Sequence, residues 1–346
     1  MKSGRLWIIL AVLALVLTAC GGQEDASSDD ADGAASPQAD GASEAPADTE
    51  AGDEEAAAGI DCRAVEVIVP YAPGGGSDQQ VRRLQSALED ALGTRLNITY
   101  QEGGDGSVGW NALANAAPDG CTIANVVTPN ISNLSLTAGE DVGFTAEDFE
   151  FVAFTEFSPN IIGVATNSEF ETLEDFIEAA QASPGELTIS GVGANGELLA
   201  NEIIEATEIE VTYVPFSGGV GEIIPQVVGG HIDGAISGFS LLDGDQIRPL
   251  ALSGTDPHDD FPDVPTFEAA GYPNVNLVTS WGFILPPETP DDIVETWNGA
   301  VQQALQEESV QEAYAETSFI VLEQDVAAAR AYFEEQHEAT QAALGE

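Results

Sequence analysis

The sequence predicts an α/β fold with mostly parallel sheets, divided into two lobes. Strand-like and helix-like segments alternate from residue 60 to the end of the 346-residue chain, the pattern of βα units. Three glycine-rich turns each follow a strand and open a helix. The alternating part runs for about 285 residues, longer than a typical single domain.

The elements follow in order. Residues 65–70 form an apolar β-rich run ending in a glycine-rich turn, and 78–92 place Val81, Leu84, Leu88 and Leu92 on one helical stripe. Residues 96–100 read as a strand, 108–117 as a helix, and 121–127 as a strand after a Pro118-Asp119-Gly120 turn. In 172–181, Leu173, Phe176, Ile177 and Ala180 share a face, and Thr172 and Asp175 have the spacing of a capping box. Residues 187–190, 211–214, 232–237 and 249–253 are short strands separated by helical segments. Thr289 and Pro290, followed by Asp291 and Asp292, open a helix with a cap, a first-turn proline and acids for the dipole. A last helix spans about 325–344.

The start of the chain is of a different kind. Lys2 and Arg5 precede an apolar run at 6–17, and LTAC at 17–20 places small residues before Cys20. Residues 1–19 therefore read as a signal peptide, with Cys20 carrying lipid in the mature protein. The run is too short for a spanning helix of ~20 residues. An ordinary secretory signal with an incidental Cys20 is the plainer alternative. Residues 21–59 contain no Val, Leu, Ile or aromatic residue and 12 acids. Such a segment cannot bury enough apolar surface to order itself, so 20–59 reads as a disordered, self-repelling tether.

The whole chain has 60 acidic and 8 basic residues. With 12 acids in the tether and Lys2 and Arg5 in the signal, 48 acids and 6 bases remain from residue 60. The acids are scattered and no lysine follows Lys2, which suits a surface adapted to high salt better than a patch for one cationic partner. No basic patch exists to neutralise phosphates, so nucleic acid is excluded as a partner. Cys62 and Cys121 each stand just before a predicted strand. If those strands are parallel neighbours, the thiols meet at one sheet edge and an exported chain allows a disulfide; otherwise both are free and buried.

The glycine-rich turns are 71–78, 103–109 and 191–197. Glycines let backbone N–H groups crowd toward a ligand, and a helix N-terminus there favours negative charge. Together they suggest an anion cradle; tight βα turns needing positive φ are the bland reading. The second and third also match G-x-G-x-x-G, but no acid closes the strand at 121–127 to hold a ribose, so a dinucleotide is rejected. His231, His258 and His337 are isolated and read as surface or packing residues, and no G-x-S-x-G elbow occurs. No catalytic residue, metal or cofactor is expected.

Seven motifs in order then resemble one family: VIVPYAPGGGSD at 67–78 with Arg82, APDGCT at 117–122, FEFV at 149–152, VPFSGG at 214–219, GGHID at 229–233, RPLA at 248–251 and FPDVPTFE at 261–268. They are similar to those of the substrate-binding proteins of tripartite tricarboxylate transporters, over the chain from about Cys62 onward. The resemblance implies a type II periplasmic-binding-protein-like fold, with a ligand cleft between lobe 1 (60–158 and 281–346) and lobe 2 (159–280). It implies chain crossings near 157–161 and 277–281, with the C-terminal helices returning to lobe 1. It also implies a small carboxylate ligand held by backbone N–H groups, and delivery to integral-membrane permease subunits.

Carried over residue by residue, the first lobe contributes Tyr71, Ala72, Gly74, Gly75, Gly76, Ser77 and Asp78, then Gly104, Gly106, Ser107 and Thr128. The second contributes Ala194, Asn195, Gly196, Phe216, Ser217, Gly218 and Ser237. One departure matters. The family's Asn-Arg-Pro-Gly type of second turn is here QEGGD at 101–105, so Glu102 and Asp105 add acids. Facing the cleft, either would repel a second or third carboxylate or accept an ammonium or hydroxyl group. Asp78 either caps its helix or meets a ligand amine. The expected protein is thus a monomeric, lipid-anchored, extracytoplasmic carboxylate receptor. The alternatives are a ligand-presenting module for a membrane histidine kinase, a binder of an amino acid or aromatic acid, or an enzyme of the same build, against which the missing nucleophile–base set argues.

Overall fold

The computed structural model describes residues 60–216, 220–241, 245–254 and 257–345. The expected signal peptide, Cys20 and tether lie outside the described residues, as do Ser217 and Gly218. Everything described belongs to one compact unit, Glu54–Glu346.

The first half begins with β1 (Val65–Val69), α1 (Gly76–Leu92), β2 (Leu96–Tyr100), α2 (Ser107–Ala114), β3 (Thr122–Thr128) and α3 (Asn130–Ala138). β4 (Glu150–Ala165) leads to α4 (Leu173–Ala182), β5 (Thr188–Val192), α5 (Gly193–Thr207), β6 (Thr212–Phe216), α6 (Val220–Val228), β7 (Gly234–Gly238) and β8 (Ile247–Leu252). β9 (Val278–Leu285) returns to α7 (Asp291–Gln306), α8 (Glu308–Ala315), β10 (Ile320–Val321) and α9 (Val326–Ala343).

Strand alternation explains the layers. Val65, Val67 and Val69 of β1 pack with Val81, Leu84 and Leu88 of α1 and Trp297 of α7. Ile68 points the other way, into a cluster with Trp110, Leu113 and Phe333. A strand covered by helices on both faces is apolar on both; β1 follows this except at Glu66, which is half-buried and accepts from the Thr99 hydroxyl at 2.9 Å. The second lobe repeats the plan: Ile162 and Val164 of β4 join Phe176 and Ile189, while Ile161 joins Ile223 and Ala235.

The strand order is β2-β1-β3-β9-β4-β7-β5-β6, with β8 and β10 also pairing β4. The outer strands of each lobe are parallel: β1 with β2 and β3, β5 with β6 and β7. Antiparallel pairing gathers on the crossing strands β4 and β9. β4 is 16 residues long; Glu150 to Pro159 pair with β9, and Asn160 onward with β7 and β8. One strand therefore serves both lobes, and α9 spans them too. Phe333 packs in lobe 1, whereas Ala339, Ala343 and Leu344 lean on the lobe 2 cluster around Phe176.

Parallel pairing of β1 and β3 aligns Glu66 with Thr122, so Cys62 and Cys121 meet just upstream. They form the expected disulfide, Cα to Cα 5.6 Å. The capping box is also present: Asp175 N–H donates to Thr172 Oγ1 at 3.1 Å and Thr172 N–H to Asp175 Oδ2 at 2.9 Å. The opening of α7 differs from expectation. Thr289 does not cap it, because its hydroxyl donates to the Pro286 carbonyl at 2.8 Å, and Pro290 takes the cap position. His258 packs between Phe239 and Phe261, and His337 lies on Phe333.

Candidate functional site

The first turn closes on itself. Gly74 N–H donates to Asp78 Oδ2 at 2.8 Å, and Arg82 Nε and the Tyr100 hydroxyl each donate to Oδ1 at 2.7 Å. Against the cost of burial, Tyr100, Gly74 and Arg82 together hold the Asp78 carboxyl below the usual range. Asp78 thus fastens the turn that carries Tyr71, Ala72, Gly75 and Ser77. Gly76 seats that turn on β9: a Cβ there would stand 2.9 Å from the Trp281 ring.

The second turn is a short 3-10 segment, Gly104–Gly106, leading into Ser107. Its backbone is pinned to the first, because the Tyr71 hydroxyl donates to the Asp105 carbonyl at 3.0 Å. Burial and the nearby Asp105 carboxylate push the Tyr71 hydroxyl far up, so it stays a donor.

The third turn opens α5 in lobe 2. Gly196 packs directly on Gly191: a Cβ on Gly196 would stand 2.5 Å from the Gly191 carbonyl carbon and 2.6 Å from the Tyr213 hydroxyl. Tyr213 in turn donates to the Gly193 carbonyl at 3.2 Å. The helix start is held against β5 and β6, leaving the N–H of Ala194 directed outward.

The structure brings the second and third turns together. Asp105 Oδ2 accepts from Ala194 N–H at 3.1 Å, a contact from lobe 1 to lobe 2. Thr128 Oγ1, Ser190 Oγ, Asn195 Oδ1 and Ser240 Oγ are buried and have no hydrogen-bond partner among the described residues. Thr128 ends β3, Ser190 lies in β5, and Ser240 follows β7, so these groups gather toward strand carboxyl ends, where open α/β sheets bind ligands. Ser237 sits on β7 opposite Ile161 of β4. Phe216, ending β6, leans on the Ile161–Ile223 cluster.

Tyr213, Trp281, Ser190 and Ser240 were not legible as site residues. Each is a single residue within an apolar or irregular segment, and its role comes from what folds against it. A separate depression of about 280 Å³ lies between the start of α4 and β8, lined by Glu171, Arg248 and Asp263 among others. It is remote in sequence from all three turns, and its Arg248 guanidinium already donates to the Phe170 and Thr166 carbonyls.

Glu202 links the third turn to the second crossing. It sits on α5, and its Oε1 accepts from the N–H groups of Asn276 and Leu277 at 3.0 and 3.2 Å. Burial pushes its carboxyl up from 4.5 to about 7, and the two N–H donors only partly offset that. A folded value above the unfolded one means the unfolded chain releases its proton first. The associated stability is full below pH 4.5 and is lost as pH rises through 7, by about 3 kcal/mol. Unfolding free energies of wild type and Glu202→Gln, measured from pH 4.5 to 7.5, should diverge by that amount in favour of Gln. A constant difference would contradict the assignment.

The profile of the Tripartite tricarboxylate transporter family receptor matches residues 80–344. The chain belongs to that family. Its relatives include the protein BugT of Bordetella pertussis, 27% identical over 261 residues that cover 73% of this chain and 79% of that one. A UPF0065 protein from the tcbD–tcbE intergenic region of Pseudomonas sp. strain P51 is 27% identical over 262 residues, 72% of this chain and 76% of its own length. Among solved structures, a periplasmic transporter superposes with a TM-score of 0.74 at 24% identity, covering 82% of this chain and 96% of that one. MatC of Rhodopseudomonas palustris, solved with malate, gives 0.73 at 22% identity, over 82% and 99%. These share the two-lobed fold. Members of this receptor family are extracytoplasmic solute-binding proteins, so solute binding rather than catalysis is the role of this chain. Among the described residues no helix is long and apolar enough to cross a membrane.

Proposed function

We propose that the protein is anchored outside the cytoplasm by lipid on Cys20, closes its lobes over a small carboxylate, and hands it to integral-membrane permease subunits. The observation that carries this is the hydrogen bond from Ala194 N–H to a carboxylate oxygen. The third turn holds that chemical group with a backbone N–H, and the first two turns offer glycine-rich backbone opposite. Structural neighbours solved with malate and with adipate support the ligand class. The acidic stretch at 20–59 would serve as tether, and lobes of 60–158 with 281–346 and of 159–280 would close as a monomer. The excess of 48 acids over 6 bases suits operation in concentrated salt, where counterions screen self-repulsion.

The test is a thermal-shift screen of the untagged 62–346 domain at low and at molar salt, with mono-, di- and tricarboxylates, aromatic acids, amino acids and sugars. A ligand at 100 times its dissociation constant adds about 2.7 kcal/mol, and the unliganded midpoint should itself rise with salt. Stabilisation by sugars and by no carboxylate would overturn the ligand class. Co-purification of the full-length lipoprotein with the candidate permease, and not with a histidine kinase, is the expected partner result.

A further inference from the structure

Asp105 makes a hydrogen bond from lobe 1 to the first turn of α5 in lobe 2. It is one of three non-glycine residues with positive φ among those described, at φ 53° and ψ 32°. That backbone is disfavoured for most side chains but tolerated by Asp and Asn. It directs the carboxylate out of lobe 1 and onto the first turn of α5, 89 residues away in sequence. Oδ2 receives the Ala194 N–H, and Oδ1 lies so near Gly193 that a Cβ there would stand 2.5 Å from it. α5 supplies nothing equivalent itself. Its cap residue is Val192, and its first turn holds no acid. By contrast, α4 is capped by Thr172 and α9 by Asp325.

The charge around this contact is one-sided. Glu197 lies close enough to Tyr213 to act on its hydroxyl together with Asp105. Five of the six arginines from residue 60 onward are engaged elsewhere: Arg82 with Asp78, Arg83 with Glu156, Arg95 with Glu89, Arg330 with Glu150, and Arg248 with backbone carbonyls. No guanidinium in those pairs is available to balance a further negative charge at Ala194.

We propose that Asp105 is a built-in carboxylate that occupies the lobe 2 anion seat, latching the lobes and restricting the ligand to one carrying a single carboxylate. That carboxylate is held on the lobe 1 turns, and the far end of the ligand, facing Asp105, is neutral or bears an ammonium. A dicarboxylate long enough to reach Ala194 must displace Asp105 and leave two negative groups competing for one set of donors. This restriction rests on the carboxylate reading above; the latch does not.

The test uses wild type, Asp105→Asn and Asp105→Ala of the 62–346 domain in molar salt. Asn keeps the left-handed backbone and removes the charge. Calorimetric titration would compare straight-chain monocarboxylates of three to six carbons, their matching dicarboxylates and 4-aminobutyrate. Wild type is expected to prefer the monocarboxylate or amino acid over the matching dicarboxylate by tenfold or more, and both variants to shrink that ratio about tenfold. Wild-type preference for dicarboxylates, or an unchanged ratio in both variants, overturns the restriction. Small-angle scattering without ligand judges the latch separately: Asp105→Ala, which leaves the Ala194 N–H without its acceptor, should have a larger radius of gyration than wild type, and an equal radius overturns it. If no carboxylate binds any of the three proteins, the carboxylate reading has failed and the restriction fails with it, while the scattering result still decides the latch.

Discussion

Replacing Arg83 by Met is expected to lower the unfolding free energy by about 3–5 kcal/mol, the cost of leaving a buried charge without its partner. Glu156, fully buried on β4, takes Arg83 Nη1 and the Tyr314 hydroxyl on the same oxygen, Oε2. Its other oxygen, Oε1, has no hydrogen-bond partner among the described residues. Burial pushes the Glu156 carboxyl up, and Arg83 and Tyr314 pull against it. The guanidinium also lies over two rings, 4.6 Å from the centroid of Tyr314 and 5.0 Å from that of Phe319. Removing the cation therefore strands the acid. Removing both charges, as Arg83→Met with Glu156→Gln, should recover more than half of the loss, since an ion pair replaced by neutral groups is often nearly neutral in stability. Denaturant titration of the three proteins decides this. A double variant no better than Arg83→Met alone would show that packing, not the stranded charge, sets the cost.

The second large effect concerns the disulfide. Cys62 and Cys121 close a loop of 59 residues, and the chain-entropy relation gives about 4 kcal/mol for a loop of that size. The bond ties the segment entering β1 to the segment entering β3, beside the Trp297 side chain that donates to the Gly120 carbonyl at 3.1 Å. Changing both cysteines to Ser should lower the unfolding free energy by about that amount, and adding reductant to wild type should do the same. A loss below about 1 kcal/mol in both experiments would mean the unfolded chain is already compact across this loop.

Much of the fold could be read from local signals, because those signals have local causes. The capping box needs only Thr172 and Asp175, three residues apart. The disulfide followed from two cysteines placed before strands that proved to be parallel neighbours. β4 was legible only as a crossing near 157–161, although it is a continuous strand from Glu150 to Ala165. Glu156, Ser158, Pro159 and Asn160 interrupt its apolar run and read as a break. The partners of Glu156 and Asn160 lie far away in sequence: Arg83 and Tyr314 for Glu156, and Ser253, Leu277 and Thr279 for Asn160. Such partners carry no signal near residue 156 or 160. α3 was missed for a related reason, since the Asn and Ser residues of NISNLSLTA favour turns when taken alone.

The site divides the same way. Its glycine turns stood out as turns, and the acids at 102 and 105 stood out as departures. What Asp105 touches could not be read, because Ala194 lies 89 residues away and only the folded chain brings it near. Asp78 was open between two roles in the sequence, and Gly74, Arg82 and Tyr100 account for its oxygens in the structure.

The passage of α9 across both lobes bears on how the molecule can open. β4 and β9 join the lobes at two places, and the last turns of α9 make a third. Two bodies fastened at three points turn freely only about a line that runs through all of them. If the contacts of Ala339, Ala343 and Leu344 lie off the line set by β4 and β9, the final helical turn has to peel away whenever the cleft gapes. The C-terminus then works as a clasp, and the few apolar atoms beyond residue 338 set how wide the jaws can swing.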